Sequence, residues 1–404
     1  MQPLTTIRTG DPRELLALIP FQLGFHPQES AVVVSLRGRR SRVGLVARVD
    51  LDDLADRAEG SQVARSLVRH LVTDGASSVV LVLYTDQDVR SRAGSPVASR
   101  ARAHLEQAAE HFVGRAACWV VGSEGYFNLD CVDPSCCPPQ GRPLSGLQST
   151  EVGAQMVLNG TMVAVSRDDL VQLEAADPDA RRSARRAATR WTARGPLGAQ
   201  GGVDPGAAHR WRREGLALWR SELERATVSV DGSAEGRCAV GTGADRGPGT
   251  PEPATSVTLG RLQAALSDVL VRDAVMLTFI EGAGRVADRV VAGAGAGAGA
   301  EAGDPVGAAL RAVIDPAHGV PPRRDVHTAA TLVLRQIVSH SARRLQAPGL
   351  TLLAVLAWWD GDGARAGILV DRALAAEPGY RLAGLLHETL LAGMAPGWLR
   401  RREA

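Results

Sequence analysis

Three cysteines fall within seven residues, in the run Cys131-Val132-Asp133-Pro134-Ser135-Cys136-Cys137-Pro138-Pro139. Thiolates are soft donors suited to zinc or an iron–sulfur cluster, and such crowding in a reducing compartment points to metal. The C-x4-C-C spacing is not that of a zinc ribbon. Neighbouring cysteines reach one ion awkwardly, and no fourth ligand lies near in sequence. A complete site on Cys131, Cys136 and Cys137 therefore needs a partner brought by the fold, Cys118 or His26. Thiol redox chemistry is a second reading of the same residues. A proline-fixed turn that simply packs its thiols is the default reading.

Other constellations are weaker. His26, with Glu29 and Ser30, has the residue types of a general base near a nucleophile. A polar helix-to-strand connection explains them as well and is preferred. Asp50, Asp52 and Asp53 follow a strand, where carboxylates can hold Mg²⁺, but Asp52 or Asp53 capping the next helix is the better reading. Six arginines, Arg181, Arg182, Arg185, Arg186, Arg190 and Arg194, share a fourteen-residue stretch with no acid among them. On a helix the i, i+4 series makes a stripe that can grip phosphates, and Trp191 and Trp211 lie nearby. Against nucleic acid as the partner stand the net charge of +2 and the acids Glu174, Asp177 and Asp179 just ahead of the run. A solvated arginine face with tryptophans in the core is the default reading, and nucleic-acid binding through Arg181–Arg194 is the minority one.

All 46 basic residues are arginine, so a lysine Schiff base and a P-loop lysine are excluded. Gly241-Thr242-Gly243-Ala244-Asp245-Arg246-Gly247 has glycines near a dinucleotide spacing but follows no strand. No nucleotide cofactor motif is present.

The elements that must position these residues are legible in outline. Asp11-Pro12 with Glu14 opens a short helix, which Pro20 is expected to stop. Ala31–Leu36 and Val43–Val49 read as paired strands about a polar turn. Residues 52–73 have a helical period, Ser78–Tyr84 reads as a doubly buried strand, a helix spans about 96–113, and a strand covers Cys118–Val121. The ββαβαβ order implies an α/β domain over residues 1–150, a mixed sheet with crossover helices. Helical stretches then dominate: a middle region at 151–228, a flexible linker at 229–255, and a helical C-terminal region at 256–404 with an Ala/Gly insert at 292–303. Leu353, Ala354, Ala366, Ala373 and Pro378 have tetratricopeptide-like spacing about Gly361-Asp362-Gly363, so the chain is expected to end in such a helical hairpin.

With 45% hydrophobic residues the chain is globular, and its 404 residues suggest more than one domain. Met1-Gln2-Pro3-Leu4-Thr5 has neither the basic start nor the apolar core of a signal peptide, and no apolar run reaches the ~18 residues of a membrane span. A cytoplasmic location away from membranes is the expectation, and five cysteines do not suggest a secreted disulfide framework.

Two blocks resemble the actinobacterial family catalogued as domain of unknown function 4192. One is Asp11-Pro12 through Leu51, with Ile19-Pro20-Phe21-Gln22-Leu23-Gly24-Phe25-His26-Pro27. The other is Cys131 to Gly141 followed by Pro143. A third block, Leu353 to Pro396, is similar to the family's ending. The resemblance implies kinship of fold and a bacterial cytosol, and it supplies no reaction. On the residues alone, the leading expectation is a cytosolic binding or scaffold protein that meets a protein partner through its C-terminal helices. The alternative is a metal- or thiol-dependent enzyme, zinc being the cofactor to consider, with its site at the Cys131–Cys137 loop. Nothing in the sequence sets an oligomeric state.

Overall fold

The first helix begins as its residues prescribe. The Asp11 carboxylate accepts the Arg13 N–H at 2.9 Å, Pro12 takes the first helical position, and α1 runs Pro12–Leu23. Pro20 does not stop it. A proline inside a helix forfeits one backbone hydrogen bond, and here the stop comes from Gly24, at φ 78°, whose N–H donates to the Pro20 carbonyl at 2.8 Å. The computed structural model describes residues 11–38, 41–90, 95–110, 112, 116–196, 204–235, 254–293 and 305–403.

The chain forms two compact units, divided between Leu170 and Val171. The first holds β1 (Ser30–Arg37), β2 (Arg42–Asp50), α2 (Leu51–Ala55), α3 (Gly60–Thr73), β3 (Ala76–Tyr84), α4 (Pro96–Ala109), β4 (Ala117–Val121) and β5 (Tyr126–Asn128), then α5 (Ser145–Gln148) and α6 (Glu151–Leu158). The sheet order is β2-β1-β3-β4-β5. β3 and β4 are parallel and every other pairing is antiparallel, so the sheet is mixed as expected. Ala31, Val33, Leu81, Leu83, Cys118 and Val120 face a core shared with α2, α3 and α4. Their neighbours Val32, Val34, Val80 and Val82 are buried too, so the central strands are covered on both faces.

The single helix expected over 52–73 is two, because the Asp56 carboxylate turns the chain by accepting the N–H groups of Ala58 and Glu59. The first unit runs on to Leu170. Glu14 caps α6 by accepting the N–H groups of Glu151 and Val152, and Ala164 forms a bridge with Phe25.

Among the described residues the second unit is wholly helical. It comprises α7 (Pro178–Ala193), α8 (Pro205–Glu235), α9 (Ser256–Leu266), α10 (Val269–Leu277), α11 (Gly284–Val291), α12 (Pro305–Ile314), α13 (Arg324–His340), α14 (Ala347–Asp360), α15 (Gly363–Ala376), α16 (Arg381–Leu391) and α17 (Gly397–Glu403). Within the expected helical region, α9 and α10 are divided at Asp268, whose buried carboxylate caps α10 and pairs with Arg212. Residues 229–235 of the expected linker continue α8, while 236–253 of it lie outside the described residues, as do 294–303 of the Ala/Gly insert.

α14 and α15 make the hairpin read from the sequence. Gly361, at φ 92°, ends the first helix, and Asp362 caps the second by accepting the Arg365 N–H at 2.9 Å. Leu353, Ala354, Ala366 and Ala373 are buried, and α14 is buried on almost every side, so the hairpin sits within its own unit. No described helix is long and apolar enough to cross a membrane.

Candidate metal centre

The cysteine loop leaves the edge strand β5 and returns to it. Cys131 N–H donates to the Asn128 carbonyl, and the loop closes where Arg142 pairs with Tyr126 through two backbone hydrogen bonds of 2.8 and 2.9 Å. Between these points Asp133 organises a tight turn. Its carbonyl accepts the N–H groups of Cys136 and Cys137, and its carboxylate accepts the N–H and hydroxyl of Ser135. Gly141 makes the return at φ 79°, a left-handed conformation natural to glycine.

This backbone gathers the three thiols. The sulfurs of Cys131, Cys136 and Cys137 lie within 4.8 Å of one another. Three thiolates about 2.3 Å from a common zinc ion would stand about 3.8 Å apart, so small side-chain movements suffice to close on one ion. The adjacent pair Cys136-Cys137, awkward on paper, converges because the Asp133 turn coils the chain beneath both residues.

N–H groups also act on the thiols. The Asp133 backbone N–H faces Cys131 and, with the neighbouring thiols Cys137 and Cys136, holds its pKa below the ordinary thiol value. Burial pushes the Cys137 thiol up, against the opposing pull of the Asn128 backbone N–H, an outward donor of the edge strand. Arg142 Nη2 donates to Cys136 Sγ at 3.2 Å, while its Nε donates to the Cys136 carbonyl at 2.6 Å. N–H donors of this kind orient and stabilise metal-bound thiolates. From the connection between β3 and α4, Arg90 lies over the Phe127 ring, 3.7 Å from its centre, and donates to the carbonyls of Pro138 and Pro139 at 2.5 and 2.9 Å.

The suggested fourth partners do not join. Among the described residues, no histidine, carboxylate or further thiol completes the trio. Cys118 belongs to the core between the sheet and its helices, and burial pushes its pKa up to about 12. His26 is exposed, and its backbone N–H donates to Ala164. Cys238 lies outside the described residues.

The other sequence-derived candidates resolve into structure. Ser30 is fully buried, and its hydroxyl donates to the Gln28 carbonyl and accepts from Arg48, so it is not paired with His26. The Glu29 carboxylate accepts the Thr85 hydroxyl at 3.0 Å. The capping expected of Asp52 or Asp53 is not made. Asp50 holds the cap position of α2 without a side-chain bond and pairs with Arg48, while Asp52 and Asp53 sit in the first turn, where their charge suits the helix dipole. Trp191 and Trp211 are buried as expected, with the Trp211 indole N–H donating to the Trp191 carbonyl at 3.0 Å.

Comparison with known families settles kinship. The family described as Domain of unknown function (DUF4192) matches residues 12–397, nearly the whole chain. The chain belongs to that family. No curated protein and no solved structure matches it. The DUF4192 match includes the cysteine loop and both arginines that hold it. Sequence reasoning missed those two: Arg142 stands five positions past Cys137 and carries a local signal, whereas Arg90 is brought by the fold alone.

Proposed function

We propose that this protein is a zinc–thiolate protein that holds one ion on Cys131, Cys136 and Cys137. The convergence of the three sulfurs within 4.8 Å of one another, with the Arg142 guanidinium on Cys136 Sγ, carries the reading. A dication on three thiolates leaves one net negative charge, and the Arg142 guanidinium beside Cys136 Sγ is placed to balance it. A tetrahedral ion with three protein donors takes its fourth ligand from solution, which is the arrangement of zinc sites that activate a ligand rather than only staple a fold. The partner-binding reading through the C-terminal helices draws less support, because the faces of α14 are taken up inside its own unit.

Metal analysis of the full-length protein, purified under reducing conditions, tests this directly. About one zinc per chain is expected, falling to a small fraction in Cys136→Ser. Arg142→Gln should keep the ion but bind it about 10- to 100-fold more weakly against a competing chelator. Reduced thiols without near-stoichiometric metal, after zinc is offered, would sink the proposal and leave thiol redox as the chemistry of the loop.

A further inference from the structure

The arginine run that the metal centre leaves unused occupies the outer face of α7. Ala184, Ala187, Ala188 and Trp191 point inward and are buried, while Arg181, Arg182, Arg185, Arg186 and Arg190 are exposed. The helix is a firm platform. A Cβ placed on Gly260 of α9 would lie 2.0 Å from the Ala184 carbonyl oxygen, so the two backbones are in contact there. That packing brings in a seventh arginine. The guanidinium of Arg261 lies 5.5 Å from the centre of the Trp191 ring, and that of Arg194 lies 5.3 Å from it.

Acidic compensation is confined to the margins. Arg182 pairs with Asp179, and Arg194 reaches Glu214 at 3.5 Å. In the centre, Arg185, Arg186 and Arg190 form no ion pair with a described carboxylate, and with Thr189 they line a surface hollow of about 490 Å³. Like charges at helical i, i+4 spacing repel one another, and a bound anion relieves that repulsion.

We propose that this face binds the phosphodiester backbone of nucleic acid. Along an α-helix the i, i+4 positions recur about every 6 Å, and Arg182 to Arg194 spans about 18 Å. A row of that length suits a linear polyanion rather than one small anion. Guanidinium forks match phosphate oxygens. The nearby aromatic residues, Trp191 and Trp211, are buried, so no ring is offered for base stacking, and the contacts hold the backbone without reading sequence. The near-neutral chain is no obstacle, because screening limits the field to about 8 Å and only the local patch counts. An acidic polypeptide is the competing partner. Nucleic acid is favoured because each neutralised phosphate releases condensed counterions, whereas exposed arginine–carboxylate pairs contribute little.

Fluorescence anisotropy of the full-length protein with a labelled short duplex, and with a single strand of equal length, provides the test. Binding is expected at about 50 mM salt and should weaken steeply as salt rises. Arg185→Glu/Arg186→Glu/Arg190→Glu should weaken it at least about tenfold and flatten the slope of log K against log salt, by about 2.7 for duplex or about 2.1 for single strand. The same three changes to Gln guard against a folding defect and should lose binding in the same direction. A triple of equal charge change on other exposed positions, Arg285→Glu/Arg289→Glu/Arg311→Glu, should leave the slope unaltered. The inference fails if wild-type protein does not bind at low salt, if the two glutamate triples lose binding equally, or if polyglutamate displaces the nucleic acid at equal charge concentration.

Discussion

Asp74 ties the β1–β2 hairpin to the rest of the sheet through one carboxylate. It sits between α3 and β3, accepts Arg37 Nε at 2.8 Å and the Leu45 backbone N–H at 2.9 Å, and pairs with Arg37 Nη2 as well. Burial alone would raise its pKa, but the Arg37 side chain and the Leu45 N–H outweigh that and hold it below 3.8. A carboxylate whose folded pKa is depressed adds stability that is present above the unfolded value and lost as pH falls through the folded one. Asp74→Asn should therefore cost about 1–2 kcal/mol at neutral pH. The gap to wild type should begin to narrow below about pH 4, the unfolded value, and close only once the pH has fallen through the depressed folded value, where the wild-type carboxyl takes up its proton. Urea unfolding of both proteins at neutral and acid pH measures it, and a gap that persists in acid would count against the ion pair. The residue scale is also where the candidate site was most legible. Three cysteines announce themselves by type. Cys118 could have been dismissed from the alternation of its strand, since it shares a face with Val120 toward the helices. Arg90 could not have been found, because only tertiary folding carries it to the carbonyls of Pro138 and Pro139.

At the scale of elements, two glycines on helices give opposite expectations for one substitution. At Gly260 a new Cβ meets the Ala184 backbone at 2.0 Å, and backbone cannot yield as a flexible side chain can. Gly260→Ala should push α7 from α9 and cost about 2–3 kcal/mol. At Gly384 in α16 a Cβ meets nothing within 4 Å, so Gly384→Ala should add about 0.5–1 kcal/mol through the helix preference of alanine. Thermal or urea melts of the two variants read the sign directly. Most helices and four of the five strands were visible as hydrophobic period, because each buries a face. What escaped was set by local hydrogen bonding or by length. Asp56 and Asp268 each break a helical period by accepting backbone N–H groups. β5 has three residues, too few to show alternation. The α7–α9 crossing depends on a helical glycine whose meaning appears only beside Ala184.

For the molecule as a whole, the tryptophans report on the two units separately. Of seven, only Trp119 belongs to the first unit, and the other six belong to the second. Trp119 stands on β4 beside Tyr126, 6.4 Å between ring centres, on the strand pair that carries the cysteine loop. In Trp119→Phe, tryptophan fluorescence, excited selectively over tyrosine, therefore reports the second unit alone. A ligand that binds only the folded state stabilises it by about 2.7 kcal/mol when present at a hundred times its dissociation constant. For a unit of this size that amounts to roughly 5–10 °C. If the ion closes the loop onto β5 and each unit keeps its own core, zinc should raise a calorimetric transition of Trp119→Phe protein by about that much. The fluorescence midpoint of the same sample should stay where it is. Equal shifts in both signals would mean that the two units melt as one, and that metal held in the cysteine loop stabilises all of the chain.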